Sequence, residues 1–146
     1  MKKRLTFIIA AVAVTLFIFS NSLESAELSS EKSGFFSDVL MRLLEFLDCY
    51  AREDTIVRIV RKTAHILEFA MQSFCRAYPK RFPFVIFLGG LTACADECIQ
   101  LFSDGRAAMI GDVFIDISGT ILGFFAAWVL FVAVKRVHNS RKGLKL

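Results

Sequence analysis

The sequence contains no Walker motif, no G-x-S-x-G elbow and no H-E-x-x-H helix. It therefore assigns no reaction type, and whether the chain catalyses anything stays open at this level. Its four cysteines are Cys49, Cys75, Cys94 and Cys98, and no pair has C-x-x-C spacing. Cys94 and Cys98 share a helix face near carboxylates, but the usual zinc spacings are missing, which weighs against a thiolate metal site. Cys75, Cys94 and Cys98 fall in apolar stretches, where a thiol acts as a small apolar group. Motifs for base stacking or base readout are also lacking, so the net charge of +4 does not point to nucleic acid. The basic residues gather instead at the two ends and at one short turn, a placement that suits a membrane surface.

What the chain does have is apolar sequence in blocks. Hydrophobic residues make up 55% of 146, and the mean hydropathy is +0.56. Length gives one domain, and the blocks give an integral membrane protein. Leu5 to Phe19 is almost wholly apolar, and residues 5–22 make a first span. Ser20 and Ser22 would equally supply the cleavage site of a signal peptide; the retained span is preferred because three more spans follow and the topology then balances. Ser22 to Gly34 reads as a loop. Residues 35–50 have apolar positions at steps of three and four (Phe36, Val39, Leu40, Leu43, Leu44, Leu47) with charges between them. That pattern predicts an amphipathic helix, either at the membrane interface or packed on the ends of the other helices.

Asp54-Thr55 looks like an N-cap, and a second span is expected over residues 55–78, ending before Pro79. It is poor in hydropathy but ordered: Arg58, Arg61, His65, Glu68, Gln72 and Arg76 fall within roughly 80° of arc. Val60, Ile66, Leu67, Ala70, Met71 and Phe74 occupy the opposite face. A basic turn (Pro79-Lys80-Arg81-Phe82-Pro83) leads to a third span over residues 84–103, where Gly89, Thr92, Asp96, Gln100 and Ser103 share a face. A short loop with Asp104, Gly105 and Arg106 leads to a fourth over residues 112–134. There Asp112, Asp116, Gly119 and Gly123 line up, and Gly119-x-x-x-Gly123 permits close helix packing. The domain is thus residues 1–134, with a basic cytoplasmic tail at 135–146 that is expected to be disordered.

The fold expected is all-α: a polytopic membrane protein with four transmembrane helices and an extracytoplasmic amphipathic helix. Eleven basic residues (Lys2, Lys3, Arg4, Arg76, Lys80, Arg81, Lys135, Arg136, Arg141, Lys142, Lys145) fall on the side of both termini, making that side cytoplasmic. The first loop also carries basic residues, but its acids outnumber them. Three segments then deliver polar groups to one level in the outer half of the bilayer, where ionisable groups are costly and usually face a cavity. The candidate pocket residues are Arg61, Lys62, His65, Glu68, Asp96, Glu97, Gln100, Arg106, Asp112 and Asp116. His65 could carry a proton with Glu68 one turn away, and Arg61, Lys62 and Arg106 could hold phosphate or carboxylate oxygens. No cofactor is expected, except that a divalent cation between Asp96, Asp112 and Asp116 could complete a lipid-phosphate site.

Two other readings fit the same residues. Arg61, His65 and Arg106 could pair with Glu68, Asp96, Asp112 and Asp116 as a structural network, although interhelical polar contacts in membranes contribute only about 0.6–2 kcal/mol each. A proton or ion path is the other, opposed by the lack of ionisable groups below Thr92 on the third and fourth helices.

Several motifs together resemble the VanZ-like family of small bacterial membrane proteins: Arg61-Lys62-x-Ala64-His65-x-x-Glu68, Asp96-Glu97-x-x-Gln100, Gly105-Arg106 and Asp112-x-x-x-Asp116-x-x-Gly119-x-x-x-Gly123. The resemblance runs over roughly residues 5–130. The family usually has Asn where this chain has Asp116 and commonly Tyr where it has Phe69. The resemblance implies an integral protein of the cell envelope, in the cytoplasmic membrane; the family's name-giving member is associated with low-level resistance to teicoplanin, a lipid-tailed glycopeptide. Together with the residues, it predicts an outer-facing pocket for an amphiphile's headgroup, on a membrane lipid, a lipid-linked envelope precursor or a lipoglycopeptide.

Overall fold

The computed structural model describes residues 2–49, 51–77 and 82–143. The described residues form five helices and no strand: α1 (Lys2–Ser22), α2 (Ala26–Phe46), α3 (Glu53–Arg76), α4 (Phe82–Gln100) and α5 (Ile110–Gly143). Three of them, α1, α4 and α5, are long and apolar enough to cross a membrane. The expected fourth, α3, is not: it carries Arg58, Arg61, Lys62, His65, Glu68 and Arg76 within one helix.

Helix boundaries depart from the sequence expectation in several places. The stretch 26–34 is helical rather than loop, because Ser25 caps the N-terminus by accepting from the Leu28 amide at 3.3 Å. Ala26, Glu27, Leu28, Glu31 and Lys32 are good helix formers, and Ser30 and Ser33 return their hydroxyls to carbonyls four residues back. α2 stops at Phe46, where Asp48 adopts φ 53°, a left-handed turn that no helix continues. α3 starts one residue before Asp54 with Arg52 as its cap residue; Glu53 and Asp54 lie in the first turn, where their charge complements the helix dipole. The tail expected to be disordered continues α5 in helix to Gly143. The expected basic turn at 79–81, Tyr50 and residues 144–146 lie outside the described residues. Pro83 falls in the first turn of α4, where its missing N–H has no partner to lose.

α3 packs against each of the other four helices. It runs alongside α5 in the same direction: Lys62 meets Asp112, His65 meets Asp116, and the backbones of Ile66 and Ala70 meet Gly119 and Gly123. It runs opposite to α4, with His65 near Asp96 and Arg76 on Thr92, and opposite to α1, with Glu68 on Asn21 and Gln72 on Thr15. A Cβ at Gly119 would strike the Ile66 carbonyl, and one at Gly123 the Ala70 carbonyl. The Gly-x-x-x-Gly pair therefore packs α5 onto α3, as expected from the small-residue spacing.

The burial is inverted relative to a water-soluble domain. Asp96, Asp116, Gln72, Gln100, Thr120 and Ser22 are buried, and the buried hydrophobic cluster is small, centred on Ile18, Phe69 and Ala93. Large apolar residues face outward on every helix, including Ile9, Leu16, Phe36, Leu67, Met71, Phe87, Leu91, Leu122 and Trp128. On α3 the polar arc turns inward, with Gln72 fully buried, while Leu67 is 64% exposed. Unpaired polar groups are costly outside water, so this arrangement suits an apolar surrounding: a multi-pass membrane protein.

Candidate functional site

The inward polar arcs of α3, α4 and α5 enclose a cavity of about 340 Å³. Every expected pocket residue except Glu68 and Asp96 lines it. The walls are ordered by pairing. Lys62 Nζ lies 2.6 Å from Asp112 Oδ1, which ties α3 to the start of α5. Glu97 Oε2 accepts from the Met109 amide at 2.7 Å and so anchors the α4–α5 loop. Gly105, at φ 72°, makes the left-handed step in that loop, and the Arg106 amide closes the turn on the Ser103 carbonyl at 3.2 Å. That turn delivers the Arg106 side chain to the cavity.

Two layers of charge result. Arg58, Arg61 and Arg106 line one part, and none has a carboxylate within ion-pair distance among the described residues. Two buried nitrogens of Arg106, Nε and Nη1, have no hydrogen-bond partner. Burial, then the nearby Arg61 guanidinium, push the Arg106 pKa below its ordinary value; arginine remains charged at neutral pH. Three guanidinium groups on one cavity wall, none in an ion pair among the described residues, form an anion-binding arrangement.

Deeper in, His65 Nδ1 stands 3.5 Å from Asp116 Oδ1 and 3.8 Å from an Asp96 oxygen. Asp96 is fully buried and well supplied with donors: Ser22 Oγ gives to Oδ1 at 2.6 Å and Gln100 Nε2 to Oδ2 at 3.0 Å. Asp116 is equally buried, yet neither of its carboxylate oxygens receives a hydrogen bond. One ligand atom from each of His65, Asp96 and Asp116 falls within 4.8 Å of the others. This differs from the sequence expectation of Asp96, Asp112 and Asp116, because Lys62 neutralises Asp112. Glu68 lies off the cavity and accepts from Asn21 Nδ2 at 2.7 Å. Cys94 and Cys98 are exposed on the outward side of α4, away from the buried acids.

Of the structural ion-pair network expected, His65 comes within ion-pair distance of Asp116 and Asp96. Arg61 and Arg106 pair with none of its acids among the described residues, and Asp112 pairs instead with Lys62, which was not expected in the network. Below Glu68 the polar column continues through Gln72, which donates to Thr15 at 2.8 Å, to Arg76, whose guanidinium reaches Thr15 and Thr92.

This set of residues spans α3 to α5 in the order that the motifs have in the sequence. A model of the VanZ/LLP1 family matches residues 7–132, which is most of the chain. The chain belongs to the VanZ/LLP1 family. No curated protein and no solved structure matches it. In this VanZ/LLP1 chain, α1 supplies partners that the sequence reading did not assign to the site: Thr15, Asn21 and Ser22. Thr15 and Ser22 are seven residues apart and so share a helix face, which was the available signal. Arg58 also lines the cavity, one turn before Lys62 on the same arc.

Proposed function

We propose that this VanZ-like membrane protein binds the anionic headgroup of an amphiphile in the cavity, with Arg61 and Arg106 as the clamp. The observation that carries the proposal is the pair of buried, unpaired Arg106 nitrogens beside Arg61 on the cavity wall. A structural network would have no reason to leave those cations without acids. The surroundings of the cavity favour an amphiphile over a free anion. Ala107, Met109 and Ile115 lie among its lining, and Leu101, Phe102, Ile110 and Phe114, next in sequence to the lining residues Gln100, Met109 and Ile115 or one further on, are exposed and apolar. A headgroup on the arginines would leave its chain against those residues. Phospholipids, lipid-linked envelope precursors and lipid-tailed glycopeptides such as teicoplanin share this design, and resistance to the last would follow from sequestering or competing at the outer leaflet.

The topology that goes with this function has four crossings. α3 is held at Lys62, His65, Gln72 and Arg76 to positions along α1, α4 and α5, so a bilayer that takes in those three takes in α3 as well. Its charges face the bundle and its Leu67 and Met71 face lipid. Arg4, Arg76, Lys135 and Arg136 lie toward the opposite end of the bundle from the cavity, which makes that end cytoplasmic and the cavity outer-facing in the cytoplasmic membrane. α2 sits at the outer interface with Phe35, Phe36, Val39 and Leu43 in the lipid. Arg76 across the polar column opposes cation or proton passage, which weighs against a transporter.

Native mass spectrometry of the protein extracted in mild detergent tests the proposal. The expected result is a retained phospholipid or isoprenoid phosphate that an Arg61→Ala/Arg106→Ala double variant no longer holds. Retention of the same lipid at the same occupancy by a folded double variant, or of none by the natural chain, overturns it.

A further inference from the structure

We infer that His65, Asp96 and Asp116 form a site for a divalent transition-metal ion, of the zinc or manganese class, at the floor of the cavity. Asp116 motivates the inference. Its side chain is 1% exposed and it lines the cavity, yet neither oxygen has a donor. A carboxylate buried without a hydrogen bond or a paired charge is strongly destabilising. The nearest cationic candidate is His65, and its Nδ1 at 3.5 Å is beyond a well-formed hydrogen bond. Every other acid of the cluster is satisfied differently: Asp96 by Ser22 and Gln100, Glu97 by the Met109 amide at one oxygen, Asp112 by Lys62 and Glu68 by Asn21.

The geometry suits a metal ion. Metal–ligand bonds of about 2.0–2.2 Å at tetrahedral angles hold ligand atoms about 3.3–3.6 Å apart. His65 Nδ1 lies 3.5 Å from Asp116 and 3.8 Å from Asp96, and all three ligand atoms fall within 4.8 Å of one another, so side-chain rotations that draw the two carboxylates together would close the set. One imidazole and two carboxylates favour zinc or manganese over magnesium or calcium, which prefer oxygen alone. Two carboxylates with a divalent ion and a neutral imidazole are electrically neutral, which removes the reason for the buried charge to be costly. Ser22 donates to Asp96 Oδ1 and Gln100 to Oδ2, the oxygen nearer His65, giving Asp96 the outer support that metal-ligating carboxylates usually have. His65 and Asp116 both line the cavity, and three protein ligands would leave a coordination position. An anionic oxygen of the headgroup would fill it while the arginines hold the others. Only that last step rests on the headgroup reading; the ion's own binding does not.

The test is zinc titration by calorimetry on chelator-stripped, delipidated protein. Cys49→Ser, Cys94→Ser and Cys98→Ser are included, because these exposed thiols would bind zinc themselves. One zinc per chain is expected, with a rise in melting temperature, and Asp116→Asn should abolish both. Asp116→Asn removes the charge at constant size, so the zinc-free variant should fold and melt no lower than the zinc-free parent. Arg106→Ala should bind zinc as the parent does. No zinc binding by the parent, or equal binding by Asp116→Asn, overturns the inference. Zinc binding by the natural chain with no lipid retained by it, or with the same lipid retained by the Arg61→Ala/Arg106→Ala variant, strikes the headgroup proposal alone.

Discussion

Ser22 at the end of α1 donates to Asp96 in α4 across 74 residues of sequence, at 2.6 Å and with both side chains buried. The contact fastens the first helix to the floor of the cavity, and Ser103 strengthens it by donating to the Ser22 carbonyl at 2.6 Å. Interhelical hydrogen bonds in membranes average about 0.6 kcal/mol, but a buried carboxylate that loses a donor costs about 1–3 kcal/mol. The second figure governs here, because Asp96 has no access to water. Ser22→Ala is expected to destabilise the protein by that amount, and Ser22→Thr, which keeps the hydroxyl, by less. Thermal unfolding in detergent measures both; equal melting temperatures for Ser22→Ala and the natural chain would refute the role.

Gly123 is more sensitive than its size implies. A methyl there would overlap the Ala70 carbonyl of α3, a backbone atom that no rotamer change can move. Gly123→Ala must separate α3 from α5, and overpacking of that kind costs about 1–3 kcal/mol or more. It should also spread the Lys62–Asp112 and His65–Asp116 contacts, which lie along the same seam. Gly111→Ala meets nothing within 4 Å and should gain slightly from helix propensity. Melting temperatures and membrane accumulation of the two variants provide the comparison, and equal behaviour would remove the case for the Gly-x-x-x-Gly seam.

The polar stripes were legible in the sequence because helical periodicity fixes which residues share a face. Gly89, Thr92, Asp96 and Gln100 on α4, and Ser103 just beyond its end, are all buried, as their spacing required. Pairing between stripes was not legible. Lys62 takes Asp112, leaving Asp116 to His65, a choice set by how far α5 is advanced along α3. The parallel run of α3 and α5 follows from α4 turning back between them, but their relative register follows from Gly119 and Gly123 packing on Ile66 and Ala70, which spacing alone does not give. The start of α2 was missed for a local reason: a serine- and glutamate-rich stretch has no apolar period, yet Ser25 caps it and its residues favour helix. The polar character of α3 hid its place in the bundle from hydropathy and showed it through periodicity.

Lys62 and Asp112 test the purely structural reading of the cluster. Their side chains are 37% and 28% exposed, so solvent screens the pair despite its 2.6 Å separation. A double-mutant cycle with Lys62→Met and Asp112→Asn should give a coupling below about 1 kcal/mol. Both single variants should accumulate in the membrane. A coupling of several kcal/mol, or failure of either variant to accumulate, would shift the cluster's purpose from binding to holding the helices together.

The native cysteines report on the membrane position without any added probe. Cys49, Cys94 and Cys98 are all exposed on the protein surface, so protein packing cannot shield any of them from a water-soluble maleimide. Only lipid can. Cys94 and Cys98 lie within α4, and a bilayer around α4 should keep both unreactive until detergent is added. Cys49 follows α2, at the cavity end of the bundle, and should react in intact spheroplasts with an impermeant reagent. One label per chain is expected, lost in Cys49→Ser. Labelling of Cys94 and Cys98 without detergent would exclude α4 as a span. Labelling of Cys49 only in inverted vesicles would reverse the orientation and place the arginine-lined cavity on the cytoplasmic side. A Leu67→Cys variant extends the same logic to α3: its site is 64% exposed on the protein, so protection there in membranes would establish the fourth crossing that hydropathy alone does not give.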